Sequence, residues 1–209
     1  MLVKNIMIPE SKLTTVKMTD TVQDALELID SKNLLSLPVV EDKKFVGVIS
    51  KKYIFEEFYN NAEPKETFGK RPISDFMKTA MEYVYKDEIV EVAVKMLKDY
   101  NIQFLPVLNS KQEFAGIVTH KAVFSTLTNV FGFGHTRMVI TTHDIKGRLA
   151  KLAELIHKHD GNIISIVEVD IELMDLRQLI LRVDVEDVRK LCKKLDESGF
   201  RVRRIDENV

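Results

Sequence analysis

The sequence has no tryptophan, one cysteine, eight glycines and five prolines among 209 residues, and neither sign of charge dominates. Each shortage excludes something. A lone thiol, Cys192, makes neither an internal disulfide nor a thiolate metal cluster, and its neighbours read as the apolar side of a helix beside lysines. Scarce, unperiodic glycine and proline exclude collagen-like and low-complexity chains, whereas 45% apolar and 30% charged residues are the proportions of a soluble globular protein. With 31 basic against 32 acidic side chains, the net charge of −1 gives no long-range pull toward nucleic acid or an anionic membrane. No stretch approaches the roughly 20 apolar residues of a membrane span, and the first residues lack a leader-like run. The expectation is a cytoplasmic protein with neither membrane nor nucleic acid as partner.

Motifs of catalysis are also missing. G-x-S-x-G, the phosphate-cradling G-x-x-x-x-G-K-[ST], H-E-x-x-H and G-x-G-x-x-G do not occur, and Gly132-Phe133-Gly134 follows a predicted helix, as a linker would. His157 and His159 lie two apart on a predicted helix, about 200° around its axis, and cannot converge on one metal. His120, His135 and His143 have no cysteine or carboxylate at ligand spacing. No catalytic residue, metal or cofactor is expected, and the chain reads as a non-enzyme.

What is present is a repeat. At an offset of about 68 residues Val16 matches Val84, Val22 matches Val90, Ala25 matches Ala93, and Leu37-Pro38-Val39 matches Leu105-Pro106-Val107. One residue further on, Gly47-Val48-Ile49-Ser50 matches Gly116-Ile117-Val118-Thr119, and upstream Ile6-Met7 matches Phe76-Met77. Val22, Ala25, Leu26 and Ile29 recur with helical spacing after Asp20 or Thr21 as cap. The run from Leu34 to Val40 is strand-like, but Pro38 lacks a ladder donor and predicts an edge position or a strand start. The polar residues 41–44 predict a hairpin turn, Phe45 to Ile49 a second strand, and residues 51–60 a second helix. Each copy is thus a βαββα unit, and two such units should pack as a pseudo-symmetric pair, with repeats at 1–60 and 74–128 and a linker at 61–73.

These motifs, h-x-x-h-P-V and G-h-h-S/T, each found twice and in order, resemble those of a tandem CBS-domain pair, the Bateman module. The resemblance covers the first 128 residues. It implies clefts between the repeats that bind adenosyl ligands. In copy one the matching positions are Lys12, Leu13 and Thr14, then Leu35, Ser36, Leu37 and Pro38, then Ser50. In copy two they are Glu82, Tyr83 and Val84, then Phe104, Leu105 and Pro106, then Thr119. Arg71 and Arg137, arginines in connecting segments, are added as bidentate phosphate partners. Where AMP- or ATP-binding members often carry an Asp for the ribose hydroxyls, three residues after the Ser or Thr, this chain has Tyr53 and Ala122. That departure favours cyclic di-AMP, whose riboses are linked 3′,5′, over AMP or ATP as the regulatory ligand.

After a glycine-bearing linker at 129–135 the pattern changes. Strands are predicted near 137–142, 162–169, 177–183 and 200–205, with helices after Gly147 and before Gly199. The order βαββαβ over 136–209 is ferredoxin-like, and Asp144, Gly147 and Leu149 followed by Gly161 to Ser165 resemble the loop and second strand of an ACT domain. The resemblance implies an amino-acid site using Asp144, Gly147, Asn162 and Ile163, although Lys146 stands where that family usually has proline. The fold class expected is α+β: a CBS pair plus an ACT-like domain, as in small bacterial proteins of the acetoin-utilisation and cyclic di-AMP receptor types. The functional reading is a nucleotide-sensing regulator, homodimeric and acting on a protein target. The alternative is an amino-acid sensor with the repeats as dimerisation scaffold.

Overall fold

A computed structural model describes residues 1–61, 63–100, 102–170 and 176–207. The chain divides into two units, Met1–Val123 and Phe124–Val209. Along the first run β1 (Ile8–Pro9), α1 (Val22–Ser31), β2 (Ser36–Glu41), β3 (Lys44–Ser50), α2 (Lys51–Asn60), α3 (Lys65–Gly69), β4 (Val84–Tyr85), α4 (Val90–Asp99), β5 (Phe104–Leu108), β6 (Phe114–Thr119) and α5 (His120–Val130), the last ending in the second unit.

The helical spacing read from the sequence becomes a buried face in both copies. Val22, Ala25 and Ile29 of α1 are buried, as are Val90, Ala93 and Leu97 of α4. Thr21 caps α1: its hydroxyl accepts from the Asp24 amide, and the Asp24 carboxylate accepts from the Thr21 amide. The Thr21 hydroxyl also donates to the Asp24 carboxylate at 2.7 Å, and that bond, with the one from the Thr21 amide, holds the Asp24 carboxyl below its ordinary value. Strands β2 and β3 form a hairpin whose two-residue turn, Asp42 and Lys43, holds φ at 44° and 66°, the handedness that matches strand twist.

Pro38 meets the expectation of an edge position, in a sheet of β2 and β3 alone, and Pro106 departs from it. Pro38 is the third residue of β2 and pairs with Val48, and Pro106 lies inside β5, an inner strand of the sheet ordered β1-β6-β5-β4. The missing amide is tolerated in β5 because the parallel ladder with β4 begins one residue later, at Val84 opposite Val107.

Each repeat lends its leading segment to the other. Strand β1, at the start of repeat one, pairs with β6 of repeat two through Ile8 and Ile117, and Lys78, at the start of repeat two, pairs with Val48 of β3. The cores follow the same exchange. Val3, Ile6 and Met7 pack with Val84, Leu105 and Val118, whereas Phe68, Ile73, Phe76 and Met77 pack with Ile29, Leu37 and Ile49. The segment 61–73, read as a linker, therefore carries α3 and part of a core. The motif glycines are explained here too, since a Cβ on Gly47 would lie 2.7 Å from the Lys78 carbonyl oxygen and one on Gly116 2.1 Å from that of Ile8.

In the second unit β7 (Thr136–His143), α6 (Arg148–His157), β8 (Asn162–Asp170), β9 (Leu176–Asp184), α7 (Val188–Glu197) and β10 (Arg201–Asp206) follow one another. The sheet is antiparallel throughout, ordered β10-β7-β9-β8. Leu152 and Ile156 of α6 and Leu191 and Leu195 of α7 pack on Met138, Ile140, Leu179 and Leu181. Cys192 lies half-buried against this core, and burial, with Asp196 nearby, pushes its thiol above the usual cysteine value. At pH 8 an aromatic disulfide reagent should therefore react more slowly with the native protein than with the chain in denaturant. Equal rates would contradict this placement of Cys192.

Candidate functional site

The crossing of the two leading segments makes a cleft. Val48 and Lys78 exchange both backbone hydrogen bonds at 2.9 Å, which lays the segment after Met77 along β3. Beside them opens a cavity of about 180 Å³ lined by Ser36, Ser50, Lys52, Tyr53, Lys78, Met81, Tyr100, Gln103 and Phe104. Lys78, Met81 and Tyr100 also line an adjoining space of about 380 Å³, with Ala80, Glu82 and Ile102. The second volume lies within the roughly 300–1,000 Å³ of small-molecule sites.

The polar groups are few and placed. Ser50 ends β3 as the N-cap of α2, its hydroxyl accepting from the Tyr53 amide at 3.2 Å, and accepting that bond leaves the hydroxyl proton to donate. Thr119 does the same for the Ala122 amide, also at 3.2 Å. Ser36 donates to the Gln103 side-chain oxygen at 3.1 Å, tying the two repeats together beside the cavity. Lys52 approaches Glu56 at 3.7 Å, whereas Lys78 has no ion-pair partner among the described residues. The rings of Tyr53, Tyr100 and Phe104, with the Met81 thioether, offer apolar surface for a flat ligand, and the hydroxyls, Gln103 and Lys78 offer donors at its edge.

Of the residues predicted from sequence, Ser36, Ser50 and Phe104 meet at this cavity and Glu82 lines its extension. Leu37, Val84 and Leu105 point into the repeat cores, and Pro38 and Pro106 are buried within their strands. Leu35 is 68% exposed, Lys12 is exposed, and Leu13 and Thr14 are half-buried. Tyr83 packs edge-on against Tyr85, with ring centroids 5.6 Å apart. Arg71 is engaged elsewhere: it donates to Asp75 at 2.9 Å, lies 3.5 Å from Glu63, and covers the Phe76 ring at 4.5 Å. Arg137, in the second unit, is paired with Asp206 at 2.9 Å. Sequence reasoning missed Lys78, Met81, Tyr100 and Gln103. The one signal for Lys78 was the match of Ile6-Met7 with Phe76-Met77, which marks the segment that crosses.

A larger cavity lies elsewhere. A groove of about 770 Å³ runs between α1, α2 and α3 over Leu26, Phe55 and Phe58, but Glu27, Asp30 and Glu66 line it beside Lys65, an acidic balance among the described residues that disfavours a phosphate-bearing ligand. In the second unit a cavity of about 410 Å³ gathers Asp144, Lys146, Gly147, Arg148, Glu168 and Arg177. Arg177 donates to Asp144 at 2.9 and 3.1 Å and lies 3.3 Å from Glu168. Asn162 and Ile163 are not brought to this cavity within the chain: Asn162 pairs with Asp184 at the far end of β8, and Ile163 packs against the core. The ten residues of α6 carry the chain back by about 15 Å before β8 begins.

Comparison with known proteins places these features. The CBS domain family matches residues 3–60 and 73–129. Among solved structures, CBSX2 from Arabidopsis thaliana is 29% identical, with a TM-score of 0.53 over 60% of this chain and 93% of that one. CBSX2 in complex with AMP is 27% identical, with a TM-score of 0.53 over 60% of this chain and 95% of that one. CbpB in complex with c-di-AMP, 21% identical, has a TM-score of 0.55 over 61% of this chain and 85% of that one, a likeness of fold. An inosine-5'-monophosphate dehydrogenase from Korarchaeum cryptofilum is 26% identical over 203 residues, 90% of this chain and 40% of that protein. A homoserine O-acetyltransferase from Methanococcus vannielii is 29% identical over 133 residues, 61% of this chain but 25% of its own. The chain thus spans less than half the length of these two relatives.

Proposed function

The chain belongs to the CBS-domain family, and from that membership we propose that it is a non-enzymatic regulator that binds an adenine nucleotide between its repeats. The observation that carries this reading is the cleft itself, with three aromatic rings, two serine hydroxyls and Lys78 around one space. The AMP complex of CBSX2 supports the ligand class. The absence of an acidic ribose clamp at Tyr53 and Ala122 keeps cyclic di-AMP ahead of AMP and ATP. Binding regulates only if the ligand prefers one arrangement of the repeats, because equal affinity for two arrangements shifts neither. The reading includes a homodimer and a protein target that receives the change.

Thermal shift and calorimetry with cyclic di-AMP, AMP and ATP test this, since a ligand that binds the native state alone raises the midpoint. One of the three is expected to bind with a dissociation constant well below about 1 mM, a free energy of about 4 kcal/mol. Ser50→Ala should act twice. It removes the α2 cap, at about 0.5–2 kcal/mol of stability, and it shrinks the ligand-induced shift by removing a donor. Absence of binding by all three nucleotides would sink the reading.

A second reading rests on the second unit. Its strand order, with α6 and α7 on one face of the sheet, supports an ACT-type, ferredoxin-like domain. The cavity at Asp144 and Gly147 carries both signs of charge, which suits a zwitterionic amino acid. A panel of amino acids in the same experiment separates the two readings.

A further inference from the structure

The two repeats are pseudo-symmetric, so each residue lining the cleft has a counterpart on the other side, and the two sets differ. Register makes Ile8 the counterpart of Lys78, because Ile8 faces Ile117 as Lys78 faces Val48. The repeat offset makes Ala122 the counterpart of Tyr53, Lys32 that of Tyr100 and Leu35 that of Gln103. The Ser50 side therefore combines the Tyr53 and Tyr100 rings, the Gln103 amide and Lys78, which has no ion-pair partner among the described residues. On the Thr119 side Ala122 and Lys32 stand in place of the two tyrosines, Phe104 recurs as the counterpart of Ser36, and Ile8 packs in an apolar cluster with Ile117 and Leu13.

We propose that the chain holds one nucleotide, beside Ser50, and that Lys78 meets its phosphate. This rests on the reading of the cleft as an adenine-nucleotide site and adds which cleft is used and what selects the charge. A purine gains from faces on which to stack, and Tyr53 and Tyr100 supply them on this side, where the other has Ala122 and Lys32. Lys78 reaches both parts of the cavity, while Glu82, in the extension, repels phosphate there and leaves the Ser50 end as the place for the anion. Lys52 and its counterpart Lys121 are equivalent in the two repeats and do not distinguish the sides. Lys78 does, because the crossing segment that delivers it carries isoleucine in the other copy.

The test is calorimetric titration of AMP and cyclic di-AMP into the full chain and its Lys78→Gln and Lys121→Gln variants at two salt concentrations. Lys78→Gln should weaken nucleotide binding by about tenfold and flatten its salt dependence, the loss of one charge-assisted contact, while leaving the thermal midpoint of the free protein unchanged. Lys121→Gln should change neither. Binding by the wild type that survives Lys78→Gln, or that falls equally with Lys121→Gln, overturns the assignment while preserving the nucleotide reading. Failure of both nucleotides to bind the wild type overturns the nucleotide reading and the assignment with it.

Discussion

Gly116→Ala should destabilise the repeat pair by at least about 1–3 kcal/mol, the range for overpacking a filled site. The obstacle is main chain: an added Cβ would fall 2.1 Å from the Ile8 carbonyl oxygen, inside the ladder that joins β1 to β6. Moving Ile8 away breaks that ladder and draws Val3 and Ile6 out of the core of repeat two. The φ of 153° at Gly116 adds a conformational cost that only glycine escapes. Gly69→Ala is the control, since its Cβ would meet the Gln23 side chain at 3.6 Å, ordinary contact. It should be neutral or stabilise by about 0.4–1 kcal/mol. Denaturant melts of both variants, with amide exchange followed at Val3, Ile6 and Ile117, would decide the matter. Equal stability of the two would mean that the crossing at Gly116 is looser than described. Gly47→Ala is the milder twin, and because its Cβ would meet the Lys78 carbonyl oxygen at 2.7 Å it should also weaken ligand binding by displacing Lys78.

In the second unit the largest effect is expected from Phe200→Ala, at about 3–5 kcal/mol. Phe200 is fully buried under both helices, and its backbone amide donates to the Leu195 carbonyl as α7 ends. The Arg148 guanidinium lies 3.9 Å over its ring while donating to the Gly199 carbonyl and the Thr142 hydroxyl, each at 2.8 Å. Truncation leaves a cavity and also strips the face from the arginine that joins the start of α6 to the end of α7. Phe200→Leu, which keeps most of the volume, should cost far less. Amide exchange in β7 and β9 reports the loss, and a penalty below about 1 kcal/mol would show that the neighbouring side chains close the space.

Much of this arrangement could be read from the residues. The Leu-Pro-Val and Gly-to-Ser/Thr strands are short apolar runs and the helices between them carry a 3.6 period, and being present twice makes each copy evidence for the other. The crossing was not legible, because β1 is two residues long and Lys78 pairs in a single bridge, too short to carry a period. Lys78 and Tyr100 were missed for a related reason, since a cleft between repeats is lined by residues that no linear motif joins, and Gln103 was missed as a variable position inside the Pro-Val motif. Pro106 misled because an inner strand was judged by its ladder as a whole, whereas the ladder beside Pro106 starts one residue further on. Asp144 and Asn162 were grouped by the resemblance to an ACT domain, and a helix of ten residues lies between them.

The reciprocal exchange of leading segments also bears on how such a unit comes together. A polypeptide with a single repeat would find the partner for its arm only on a second molecule, so its folding would depend on concentration. Joining two repeats in one polypeptide replaces that encounter with an intramolecular one at an effective concentration on the order of millimolar. The pairing then survives dilution. It also follows that neither repeat can be excised cleanly: cutting after residue 60 leaves repeat one without Phe68, Ile73 and Phe76, and leaves repeat two without Val3 and Ile6.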